Sequence, residues 1–418
     1  MLLSHETAMK LSKDYANIIG HMGYAAYKLW NICNYERYHY QEMGLDKYPD
    51  WYYQKSVHKD NIWFKSLPSQ TAQEVCKLLD GSWKSFYALK KSGGIENPRP
   101  PRFKNGSIPI TYMQNAIKKE VSSDQIRLSL PKRLKGFMAE EYGIHETYLY
   151  LKNKIFSSMD VIKQIRIYPP DEIAVIRLIV IYEAEEMKEK EENGQYLSID
   201  LGLHNLMTCY DNAGKTFILG RQYLSLCQKY DKEIARIQSQ WARTQTAKGV
   251  KYPRVSKHLL KLYQKRNHSV KDYLHKMTKA VKDYCIAQDI HTVVIGDMKG
   301  IRSQADLGSR INRQLHGLPY EKIYIQLEYK LKQNGIRLIK QEESYSSQCS
   351  PCTDEVSKAY ARESNRKHRG LYMEEGKIYN ADAVGAYNIL RKYTAVSGIE
   401  INMPISGLSN TKIIKVAV

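Results

Sequence analysis

The chain has 418 residues, enough for two or three domains with ordinary cores, and 43% of them are hydrophobic. No long apolar run suggests a membrane span, the opening MLLSHETAMKLSKDY lacks a secretory pattern, and seven cysteines, single apart from Cys349 and Cys352, form no disulfide framework. Lys and Arg number 64 against 44 Asp and Glu, a net charge of +20, and 33 tyrosines are interleaved with the cations. Cations neutralise phosphates and phenol rings stack on bases, so composition points to nucleic acid in a reducing, cytoplasmic setting rather than to a membrane or a secreted scaffold.

In chain order, the first hundred residues read mostly helical. Ala25, Leu29 and Ile32 share one face, and Ala72, Val75, Leu79, Trp83 and Phe86 mark an amphipathic helix opening after Pro68-Ser69. The segment NPRPPRFKNGSIP, 97–109, breaks helix and carries Arg99, Arg102 and Lys104. Short β-branched runs at 126–130 and 162–181 predict strands. The acidic stretch 183–194 reads as a solvated linker, and a domain boundary is expected there, with an N-terminal region 1–192 (helical over about 10–95, β-rich over about 98–182) and a C-terminal domain 193–418.

Beyond the linker, strands are predicted at 196–210 and 216–219, long helices at 223 to about 244 and 255 to about 287, and a strand at 291–295. A helix over 319–333, a strand over 336–341 and a last helix from about Asp382 follow. Strands followed by alternating helices and strands describe an α/β multi-domain chain with a mixed sheet.

Two acids stand out. Asp200 ends the apolar run YLSID, where burying a carboxylate is expensive without a compensating cation. Asp382 opens a helix with small residues on one face, where it is either a cap or a functional acid. Converging carboxylates are what metal-dependent phosphodiester cleavage requires.

SIDLGLHNLMT resembles the first RuvC motif of the transposon-encoded TnpB family and of type V CRISPR effectors, and YNADAVGAYNILRK is similar to their third. VVIGDMKGIR occupies the place of the second, and the stretch from Gln314 to Cys352 resembles the one leading into a zinc-binding finger. LPSQTAQEVCKLLDGSWKSFYALKK and PRPPRFK look like the family's N-terminal half. The resemblance implies an RNase H-like (RuvC) domain with a helical insertion, behind a helical recognition region and a β-rich wedge-like region. It also implies a guide RNA, double-stranded target DNA checked by a short adjacent motif, magnesium, and a nucleoid-associated bacterial setting; a monomer is expected.

The chain departs from the family in two places. The second motif usually ends its strand with a metal-binding Glu, where this chain has Gly296. Either the protein is nuclease-dead and binds DNA as a guided repressor, or the acid comes from elsewhere, as the resemblance allows. Glu343 is the preferred substitute, with Glu342 and Asp297 behind it. Strands two places apart lie about 9.6 Å from one another, twice the spacing of about 4.8 Å, and a residue without a side chain between them lets a long Glu lean across. Alternation turns Asp297 to the other face. The expected magnesium ligands are thus Asp200, Glu343 and Asp382.

Second, a family finger has two CxxC pairs, and here only Cys349 and Cys352 remain. His368 and Glu374 are weak candidates to complete a zinc site; a metal-free loop is the preferred reading, and its basic run 365–369 is either a phosphate contact or a solvated face. The helix 255–287 offers Lys265, Arg266 and Lys276 to a heteroduplex backbone, with Leu260, Val270, Leu274, Met277, Val281 and Tyr284 available for the core. Arg99, Arg102 and Lys104 suit RNA or the adjacent duplex. A transposase joining strands without RNA is the remaining alternative.

Overall fold

The structure is a computed structural model and describes residues 1–170, 174–297, 317–366, 370–374 and 376–417, without the side chain of Glu363. The chain divides into two compact units, Met1–Glu185 and Glu186–Val418, within the acidic stretch.

In the first unit β1 (Leu2–Lys10) precedes the helices α1 (Lys13–Tyr38), α2 (Trp51–Val57), α3 (Ile62–Lys65) and α4 (Ser69–Ser92). Strands β2 (Ile110–Met113), β3 (Ile117–Lys119) and β4 (Gln125–Ser129) follow, then α5 (Lys132–Tyr142), β5 (Tyr148–Lys152), β6 (Val161–Ile167) and β7 (Val175–Glu183). They form an antiparallel sheet in the order β1-β7-β6-β2 and a smaller one in the order β3-β4-β5.

The start of the chain is a correction to the helical reading. β1 pairs with β7 along its whole length, yet as a mostly exposed edge strand it lacks a buried alternation that would announce it. The β-rich part also encloses a helix, α5, stopped by Gly143 in the left-handed region. In β6 a bulge at Lys163 lets Ile162 and Ile165, three residues apart, both face the core.

α1 and α4 pack around a buried polar network. Arg37 donates to Asp80 at 3.0 Å and to Gln54 at 2.9 Å, and Trp83 donates to Asn34 at 2.8 Å. Ser12 caps α1 by accepting from the Tyr15 N–H.

The second unit opens with β8 (Tyr196–Asp200), β9 (Met207–Asp211) and β10 (Thr216–Leu219), continues with α6 (Tyr223–Ala247), α7 (Lys257–Ala287) and β11 (Thr292–Asp297), and then α8 (Tyr320–Lys332) and β12 (Arg337–Glu342). A hairpin of β13 (Leu371–Glu374) and β14 (Lys377–Asn380), helix α9 (Ala381–Ser397) and the short β15 (Lys412–Ile413) complete it. The sheet order is β12-β11-β8-β9-β10-β15, with β11 parallel to both β8 and β12, and β8, β9 and β10 antiparallel.

Alternation sorts the two faces of this sheet. Leu197, Ile199, Val293 and Ile295 join the core with α6, α7 and α8, while Tyr196 and Val294 join the one with α9. In α7 the phase differs from expectation at one position: Leu260 is 51% exposed, and Leu259 and Leu262 are buried in its stead.

Candidate carboxylate site

The site lies where the central strands end. Asp200 is the last residue of β8, and the pairing of Ile295 with Ile199 sets Gly296 on the next rung beside it. Gly296 in turn pairs with Gln341 of β12, so β11 stands between the strand of Asp200 and the strand after which Glu343 comes. Alternation puts Ser198, Asp200 and Gly296 on the face covered by α9. There Ser198 donates to the Ala386 carbonyl at 2.7 Å, anchoring the helix to the strand.

Two glycines make room. A Cβ on Gly385 would stand 2.7 Å from Asp200 Oδ2, and one on Gly296 would fall inside van der Waals contact with Glu343 Oε2 and 3.1 Å from Ile389 Cδ1. Glu343 thus leans over β11 through the space a side chain would fill. Its Oε2 is buried and has no hydrogen-bond partner among the described residues.

Electrostatics records the same crowding. Burial pushes the Asp200 carboxyl well above the usual carboxylate range, reinforced by the charges of Glu343 and Asp382 and opposed by Arg366. Burial pushes Glu343 up to about 7, helped by Glu342 and Asp297. The Asp297 charge also acts on Tyr324 of α8. Although burial raises it, Glu342 is held below its ordinary value by Lys392 and the Ser344 N–H, so this acid stays ionised and already has a cation beside it.

Asp382 does not cap α9. Asn380 does, accepting from the N–H groups of Asp382 at 3.1 Å and Ala383 at 3.0 Å. The Asp382 carboxylate instead accepts from Asn205 Nδ2 at 2.7 Å and faces Arg366 at 3.8 Å. Among the described residues no three His, Cys, Asp or Glu side chains are drawn together closely enough to ligate an ion as they stand. Magnesium, however, is commonly held by one or two carboxylates and keeps several waters. An orphaned buried carboxylate oxygen beside a second acid of raised pKa fits such a cation.

Asn205 and Gly385 escaped the reading of the sequence. Gly385 stands three residues after Asp382, on the small-residue face already visible there; Asn205, in the turn between β8 and β9, carried no signal.

The thiol pair is placed differently. Cys349 is buried and donates to the Ser357 carbonyl at 3.3 Å, while Cys352 is exposed. Glu374 accepts from the Ser350 hydroxyl, and β13–β14 is a hairpin where a loop was expected. Arg391 and Asn388 of α9 hold the loop: Arg391 donates to the carbonyls of Ser350, at 3.1 Å, and Thr353, and Asn388 donates to those of Ser346 and Cys349, both at 2.8 Å. Among the described residues no third side chain joins Cys349 and Cys352 in a group that could hold zinc; the expectations at Lys367, His368 and Arg369 lie outside the described residues.

Arg99, Arg102 and Lys104 are exposed on a loop tied to α1. Asn34 and Tyr38 donate to the Pro101 carbonyl, Trp30 to that of Arg102, and Lys104 lies over the Trp30 ring at 4.6 Å. On α7, Lys265 is exposed, Arg266 faces Asp231 at 3.1 Å, and Lys276 pairs with Asp272 at 2.7 Å.

The family described as "Probable transposase" (OrfB_IS605) matches residues 179–302, and the Cas12f1-like TNB domain matches 320–389. No curated protein matches the chain. A solved Cas12f1–sgRNA–target DNA complex is similar at 15% identity, covering 90% of this chain and 83% of that one, with a TM-score of 0.59. CasPhi-2 (Cas12j) bound to crRNA and phosphorothioate-DNA is similar at 11% identity over 96% of this chain and 93% of that one, with a TM-score of 0.46. No described helix is long and apolar enough to cross a membrane. On an α/β architecture like that of Cas12f1, one segment of the chain thus resembles the OrfB_IS605 family and the segment after it resembles the Cas12f1-like TNB domain.

Proposed function

We propose that the protein is an RNA-guided DNA endonuclease whose single RuvC-like site is formed by Asp200, Glu343 and Asp382. The observation that carries this reading is the Glu343 carboxylate: it reaches over Gly296 toward Asp200 and leaves a buried oxygen without a partner. Two mutually repelling acids brought together across β11 cost stability unless a cation joins them.

When bound, magnesium supplies an activated water and charge for the leaving oxygen. This chain's part is to hold the charges in place. Gly385 and Gly296 leave space for the carboxylates of Asp200 and Glu343, Asn205 orients Asp382, and Arg366 stands at the outer side of Asp382. The guide RNA and target DNA are proposed on the fold shared with Cas12f1 and the two family segments.

A second reading, a guided DNA binder that does not cut, is favoured by Asp382 being turned to Asn205 and Arg366. Magnesium-dependent cleavage of a plasmid matched to the co-purifying RNA separates the two. Cutting by the parent chain, lost in Glu343→Ala with binding retained, is the expected result. No cutting by the parent chain with any adjacent motif overturns the nuclease and leaves the binder. Purification without RNA of defined length supports the transposase alternative.

A further inference from the structure

The first unit holds a cavity of about 940 Å³ lined by residues of α1, α3 and α5 together with Pro170 and Ala174, which the carboxylate site does not use. Its size lies within the roughly 300–1,000 Å³ of ligand pockets. Its walls are aromatic. Tyr24 and Trp63 meet edge to face with centroids 5.6 Å apart, and His21 and Phe137 do so at 5.2 Å. Tyr24 and Phe137 still show 40% and 41% of their surface. The lining also carries the exposed cations Lys10, Lys13 and Arg133, which have no ion-pair partner among the described residues. A smaller recess of about 540 Å³ shares Arg133 and Phe137 and adds Lys132 and Glu140.

Two helical glycines keep these spaces open. A Cβ on Gly20, inside α1 and in the lining of the large cavity, would meet nothing within 4 Å, and the same holds for Gly136 of α5 in the smaller recess. Glycine inside a helix is entropically the poorer choice, and no packing constraint at either position demands it.

We propose that the large cavity binds one unstacked nucleotide, its base against the Tyr24–Trp63 and His21–Phe137 rings and its phosphate on Lys13 and Arg133. Flat π faces beside unpaired cations match a base joined to a phosphate, whereas a neutral apolar ligand would leave the cations unused. The proposal rests on the nucleic-acid reading above, but on nothing in the carboxylate site.

The test uses the full chain, freed of co-purifying nucleic acid in high salt, and short single strands of DNA and of RNA carrying 5-iodouracil. Photocrosslinks are expected at Tyr24, Trp63 or Phe137. Gly20→Leu, which projects a side chain into the cavity, should abolish them and weaken strand binding roughly ten-fold, about the loss of one stacked base, with the melting temperature unchanged or raised. Phe137→Ala should weaken binding in the same direction, and covers the case in which Gly20→Leu fails to fold. Crosslinks in the DNA arm alone assign the pocket to a DNA strand, and in the RNA arm alone to the guide. Both variants binding both strands as tightly as the parent, with crosslinks elsewhere, overturns the proposal. If Glu343→Ala still abolishes cutting in that case, the nuclease reading stands without the pocket; crosslinks in the cavity of a chain that never cuts leave the pocket without the nuclease.

Discussion

At Gly296 a single methyl group decides whether Glu343 can stay where it is. Gly296→Ala places a Cβ against Oε2 and pushes the carboxylate aside, and cleavage should fall about a hundred-fold, as for an ångström-scale misplacement of a reacting group. Far-ultraviolet dichroism should be unchanged, which separates a displaced acid from a broken sheet. The same crowding sets a pH dependence. In the fold Glu343 takes up its proton at about 7, whereas in the unfolded chain it does so near its ordinary value of about 4.3, so between those limits the folded state binds more protons. Stability without metal should therefore drop as pH rises from about 4.3 to about 7, and Asp200, also raised, acts in the same sense. Magnesium should raise the melting temperature at pH 8 and much less at pH 5, where a proton already occupies the acid; an equal gain at both would argue against these carboxylates as its ligands.

Among the elements, α1 and α4 depend on a buried charge pair. Arg37 and Asp80 lie 3.0 Å apart with side chains 1% and 6% exposed, so Asp80→Ala strands a buried guanidinium and should cost about 3–5 kcal/mol in denaturant unfolding. Lys84 also pairs with Asp80 but is 75% exposed, and Lys84→Ala should be close to neutral. The Cys349–Cys352 loop is the second case. Its carbonyls are held by Arg391 and Asn388 from α9, and a guanidinium donating to two carbonyls organises the loop as a metal does elsewhere. Arg391→Ala should lower the melting temperature, while a zinc-selective chelator should leave it where it was. A chelator effect as large as the mutation would restore the metal.

Across the whole molecule the excess of cations should make nucleic-acid binding steeply salt-dependent. The contributions should be unequal. Arg102 and Lys104 carry no acid partner among the described residues, and neutralising either should reduce the slope of log K against log salt by about 1. Arg266 and Lys276 already face Asp231 and Asp272, so their removal should change that slope less. Equal slopes for all four variants would show that the ion pairs open when nucleic acid binds.

The long helices and the buried strands were legible because their signals are local: period-3.6 faces for α4, α6 and α7, and an apolar run ending in Asp200 for β8. β1 was not, because an exposed edge strand is specified by its partner β7 rather than by its own pattern. The acids Asp200 and Asp382 could be singled out from their contexts. What the sequence by itself determined is therefore the set of residue types and the face of each strand and helix on which they sit, since both follow from backbone periodicity. Only the tertiary structure decided that Asn380 rather than Asp382 caps α9 and that Asn205 holds Asp382, and among the three acids open to the sequence it is Glu343 that lies over Gly296. Those are contacts between segments distant in the chain, and their existence depends on strand order and on the volume that two glycines leave empty, which no local pattern encodes.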